Sequence, residues 1–67
     1  MSVAKSIEIS AQSPKSFDDA IQRGVKKAQA SVDHLKSVWI ENQEVLLDNS
    51  GNIGTYKVWM KATFELN

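Results

Sequence analysis

The sequence predicts an α+β fold of order β-α-β-β, a three-stranded antiparallel sheet wrapped on one helix. Three observations predict it. The last segment alternates apolar and polar residues with period two. The segment after Ser13-Pro14 carries apolar residues at spacings of three and four. A run of turn-forming residues, Asp48 to Gly54, separates two strand-like stretches. Side chains of a strand alternate between faces, while those three and four apart on a helix share one face.

The first strand spans residues 3–10, where Val3, Lys5, Ile7 and Ile9 alternate with Ala4, Ser6, Glu8 and Ser10. Ser13 is a favoured helix cap, and Pro14 suits the first helical position, where its missing N–H costs nothing. Phe17, Ile21, Val25, Ala28 and Val32 then form one apolar stripe, so a helix is expected over residues 14–32. Asp18 and Asp19 near its start, with Lys26 and Lys27 in its second half, suit the helix dipole. Gly24 within the stripe costs about 1 kcal/mol relative to alanine. Close approach of the helix to the sheet is its expected compensation. His34 follows the helix as a dipole partner or cap at its C-terminal end.

The second strand begins near Leu35. It sets Val38 and Ile40 on one face and Ser37, Trp39 and Glu41 on the other. Because Val45, Leu46 and Leu47 are consecutive, a bulge near Asn42-Gln43 is needed to restore the phase. Residues 48–54 are turn chemistry. The third strand runs from Thr55 to Leu66. Its core face is Tyr56, Val58, Met60, Ala62, Phe64 and Leu66. Its other face is Thr55, Lys57, Trp59, Lys61, Thr63 and Glu65.

A helical crossover makes the first two strands parallel. The tight turn makes the third antiparallel to the second, so it fits between them, with right-handed crossover. One helix covers one face. Two open edges, long strands and an uncovered face carrying Trp39 and Trp59 are expected contact sites for neighbouring subunits.

The 67 residues make one domain, residues 1–67. A domain of this size buries only about 60% of the surface its unfolded chain exposes, so it needs reinforcement. There is no cysteine and a single histidine, which excludes disulfides, thiolate sites and a multi-histidine metal site within one chain. Oligomerisation remains. Eight basic and eight acidic side chains cancel, which argues against nucleic acid or a membrane surface as partner. No run suits a signal peptide or a membrane span, and the lack of cysteine fits a cytoplasmic protein.

No catalytic constellation is present: there is no Ser/His/Asp arrangement, no HExxH and no Gly-rich phosphate loop. Glu41, Glu44 and Asp48 are expected to be solvated. Residues 48–52 look superficially like a calcium loop but lack alternating carboxylates and a bidentate glutamate. The chain is not expected to be an enzyme.

The sequence resembles the dodecins. Ser13 with Phe17, Ala28, Ser31-Val32-Asp33, Gly51, Thr55-Tyr56 and Phe64-Glu65-Leu66 carry the resemblance, which covers nearly the whole chain. It implies a hollow dodecameric shell, a homo-oligomer that binds a flavin, FMN or riboflavin. In that family a tryptophan near the start of the second strand stacks on the flavin ring, and a glutamine after the Thr-Tyr pair bonds its polar edge. Here those positions fall on Ser37 and Lys57. The resemblance therefore points to a branch lacking both residues. Serine does not stack, and lysine offers only donors.

Trp39 lies on the same face as Ser37, about 7 Å further along the strand. It is a displaced platform for a small planar ligand, with Lys57 available for an anionic group. Ser37, Trp39, Lys57 and Trp59 are the candidate ligand-binding residues. The alternative for both tryptophans is packing in a subunit interface. Lys57 and Lys61 either meet an anion or pair with Glu8, Glu41 or Glu65. Two functions follow: a small-molecule binding and storage protein with an altered flavin site, or a structural dodecamer that holds ions on its symmetry axes and no flavin.

Overall fold

Residues 3–66 are described by a computed structural model. The elements are β1 (Ala4–Ser13), α1 (Phe17–Ser31), β2 (Leu35–Leu47) and β3 (Ile53–Glu65). The sheet order is β1-β3-β2, with β3 antiparallel to both neighbours, as the crossover argument requires.

The helix starts later than the Ser13-Pro14 signal suggests. Ser16 is the N-cap, and its hydroxyl accepts a hydrogen bond from the Asp19 N–H at 2.9 Å. Ser13 instead ends β1 and is buried, donating to the Asp19 carboxylate and accepting from the Lys15 N–H at 2.9 Å. Ser13 and Ser16 are both good caps, and only the one on which the backbone turns can serve. The Asp19 carboxyl lies below the usual carboxylate range, chiefly because of the Ser13 hydroxyl, with Arg23 and Lys15 adding attraction against some desolvation. At the other end Val32 is the C-cap, its N–H bonding the Ala28 carbonyl. His34 is therefore not the cap. It takes a left-handed φ of 64° and offers its carbonyl to the Glu65 N–H at 3.1 Å, which ties the helix exit to the end of β3.

The core lies between α1 and one sheet face. Ala20, Val58 and Met60 form one buried group, with Ile9, Ala11, Phe17, Ile21, Val38 and Ile40 against it. Ala28, Ala62 and Phe64 form a second. Small residues at Ala20, Gly24 and Ala28 let the helix lie close. A Cβ at Gly24 would collide with the Met60 methyl and sit 3.2 Å from the Ala11 Cβ. Phe17 meets Tyr56 edge to face, ring centres 5.1 Å apart. Leu66, expected in the core, is exposed, because it lies beyond the end of β3 and outside the cover of the helix.

The predicted bulge exists one residue early: register shifts between Ile40 and Asn42, leaving Glu41 as the extra residue. Two further shifts, between Leu35 and Ser37 and between Leu46 and Leu47, were not foreseen. The β3 strand begins at Ile53, earlier than expected, so the turn is short. The Asp48 carboxylate closes it by accepting from the Ser50 and Asn52 N–H groups at 2.9 and 3.0 Å. Gly51 supplies a φ of 85°.

Candidate functional site

The site is built on the sheet face that α1 leaves open. Pairing of β3 with β1 places Lys57, Trp59, Lys61 and Thr63 opposite Gln12, Ser10, Glu8 and Ser6. Pairing with β2 places the same residues opposite Glu44, Asn42, Trp39 and Ser37. Because side chains alternate, all of these share one face.

The structure brings three of the four candidate residues into one row. Trp39 is opposite Lys61, the next residue but one from Trp59, so the two indoles are diagonal neighbours, about 7–8 Å apart between Cα atoms. Trp39 is 73% exposed and Trp59 40%. The Lys57 ammonium lies over the Trp59 ring, 4.3 Å from its centre. Such a cation–π contact at an exposed site contributes about 0.5–1 kcal/mol and holds the ammonium in place. Lys61 turns instead to Glu41, at 3.9 Å. Both are partly exposed, so this pair contributes little. Lys36 makes a similar contact with Glu65 at 3.9 Å.

Ser37 does not join this row. It pairs with Thr63, six residues along β3 from Lys57, which is about 20 Å at strand rise.

A shallow hollow of about 220 Å³ opens on this face, its polar walls formed by Glu8, Ser10, Glu41 and Trp59. Ser10 was missed in the sequence, and Glu8 was seen only as a partner for a lysine. Their outward phase in β1 was legible, but their pairing with β3 follows only from the register. Among the described residues no three His, Cys, Asp or Glu side chains gather in a way that would hold a metal ion. No helix among them is long and apolar enough to cross a membrane.

The arrangement is a small β-α-β-β subunit with stacking and cationic groups on an open sheet, and its class is that of a binding module. Comparison with known proteins is specific. The chain belongs to the dodecin family, whose model matches residues 3–67. Dodecins are non-enzymatic binding and storage proteins, members form dodecamers, and they bind flavins.

Calcium dodecin of Mycobacterium tuberculosis is 33% identical over 66 residues, covering 98% of this chain and 92% of that protein. A crystal structure of the calcium-chelating calcium dodecin from Mycobacterium tuberculosis, with a novel calcium-binding site, superimposes with a TM-score of 0.85 at 31% identity, covering 97% of this chain and 91% of that one. Dodecin from Streptomyces davaonensis superimposes with a TM-score of 0.92 at 26% identity, covering 98% and 96%.

Proposed function

We propose that this chain is a cytoplasmic dodecamer that binds and stores a small planar, anionic molecule, a flavin or a related compound, at an altered site on the open sheet face. Residues 1–67 act as one domain in this assembly. The observation that carries the reading is the Lys57 ammonium resting on Trp59, with the exposed Trp39 beside it. An indole face supplies offset stacking, and a fixed ammonium supplies charge for a phosphate or an ionised ring edge.

The usual dodecin arrangement does not fit these residues. Counting along the strands puts Ser37 where the stacking tryptophan stands and Lys57 where the edge-binding glutamine stands. The ring would therefore shift to Trp39, and a neutral amide contact becomes an ionic one. The site prefers FMN over riboflavin for that reason. The test is quenching of tryptophan fluorescence on titration with FMN and riboflavin. Quenching by FMN at lower concentration than riboflavin is expected. No quenching by either ligand overturns the reading.

A second reading is a structural dodecamer that holds cations and no flavin. Its support is the 33% identity to calcium dodecin, together with serine at the stacking position. No metal cluster forms within one chain among the described residues, so such a site would use side chains from several subunits. Equilibrium dialysis against calcium separates the two: calcium retained without FMN binding favours the second.

A further inference from the structure

The two faces of the Trp59 indole meet opposite chemistries. The Lys57 ammonium, two residues earlier on β3, covers one face at 4.3 Å from the ring centre. The other face therefore turns along β3 toward Lys61, where Glu8, Ser10 and Glu41 wall the hollow of about 220 Å³. Lys61 is opposite Glu8 in the β1–β3 register, yet its ammonium leans to Glu41 at 3.9 Å. The Glu8 side chain is left with no ion pair or hydrogen bond among the described residues. A carboxylate only accepts, and its two oxygens take a pair of parallel N–H groups.

Trp39 stands on the same side of Trp59, opposite Lys61 and diagonal to the indole. Strand side chains stand roughly perpendicular to the sheet. The diagonal spacing, about 7–8 Å, equals two contacts of about 3.5–4.0 Å each. One planar ring therefore fits between the two indoles. The hollow suits a small ring, since sites for drug-sized ligands run to about 300–1,000 Å³.

We infer that this clamp takes a 2-amino-4-oxopyrimidine ring, that of a pterin or a guanine, with its ring N–H and amino group on the Glu8 carboxylate and its faces on Trp39 and Trp59. A 2,4-dioxo ring, the pattern of flavin and lumazine, carries a carbonyl oxygen on each side of its N–H, and these meet the carboxylate acceptor to acceptor. The inference rests on the reading of this face as a planar-ligand site and names the edge that the ring carries.

Equilibrium dialysis of the intact chain against pterin and lumazine tests it, because the two differ in an amino against an oxo group at one ring carbon. Pterin is expected to bind at least about tenfold more tightly, the worth of one charge-assisted hydrogen bond. Guanosine against inosine repeats the contrast on a purine, and the tighter of pterin and guanosine names the source of the ring. Glu8 is exposed, so Glu8→Gln leaves the core intact, with far-UV circular dichroism as the check. Glu8→Gln is expected to bring the pterin-to-lumazine ratio close to one. Trp59→Leu is expected to weaken both ligands by the same factor, because stacking does not read the edge. Lumazine binding as tightly as pterin, a ratio that survives Glu8→Gln, or pterin binding unchanged in Trp59→Leu overturns the inference. Binding of FMN with neither pterin nor lumazine overturns it and leaves the planar-ligand reading standing. Binding of none of the three refutes that reading as well, so the two failures are distinct.

Discussion

Substituting Gly24 with alanine sets two effects of opposite sign against each other. In an exposed helix the change would stabilise the fold by about 1 kcal/mol through helix propensity. Here the new methyl would collide with the Met60 methyl and press on the Ala11 Cβ at 3.2 Å. Met60 is flexible, yet it is fully buried among Ala20, Val58 and the residues around them, so moving its methyl disturbs the packing around it. Overpacking a filled core costs about 1–3 kcal/mol. The collision wins, and a net loss of about 1 kcal/mol is expected once the propensity gain is subtracted. For a chain of this size that lowers the melting temperature by about 4–8 °C. The assay is calorimetry of parent and variant at one protomer concentration, because assembly makes the transition concentration-dependent. A melting temperature equal to or above that of the parent would show that the helix does not lie against Met60 as described. Truncating Met60 should cost less in the Gly24→Ala background than in the parent, because the new methyl fills part of the space that Met60 leaves.

Three further predictions follow from single residues. Because its folded pKa is depressed, Asp19 contributes stability above its unfolded value, about 3.8, and loses it as pH falls through the folded value. Ser13→Ala should therefore lower the urea midpoint at pH 7 and shrink the difference between pH 7 and pH 3; an unchanged difference would mean that the hydroxyl does not hold the carboxylate. His34→Gly should stabilise the fold by about 0.5 kcal/mol by relieving a left-handed backbone, whereas His34→Val should destabilise it, as read from urea midpoints. Ser37→Trp with Lys57→Gln should create or improve riboflavin binding measured by fluorescence titration, and no gain would show that the two positions do not correspond to the dodecin pocket.

The sequence by itself determined the elements, their order and the two faces of β3. Alternation of period two and the helical stripe are local properties, and burial of one face enforces them wherever the chain is folded. Gly24 was legible for the same reason: a costly glycine in an apolar stripe needs a close neighbour, and Met60 is that neighbour. The resemblance carried by scattered residues from Ser13 to Leu66 likewise led to the dodecin family. Other features were decided only in three dimensions. Ser13 and Ser16 have the same capping chemistry, and the path of the backbone after β1 chose Ser16. The bulge fell on Glu41 because cross-strand pairing, not propensity, sets where an extra residue is absorbed. The candidate site shows the division most clearly. Alternation placed Ser37, Trp39, Lys57 and Trp59 on one face, but the antiparallel register joined Trp39, Trp59 and Lys57 and left Ser37 about 20 Å from Lys57. Distance along a strand is written in the sequence, whereas distance across a sheet depends on which residues the hydrogen-bond ladder sets side by side.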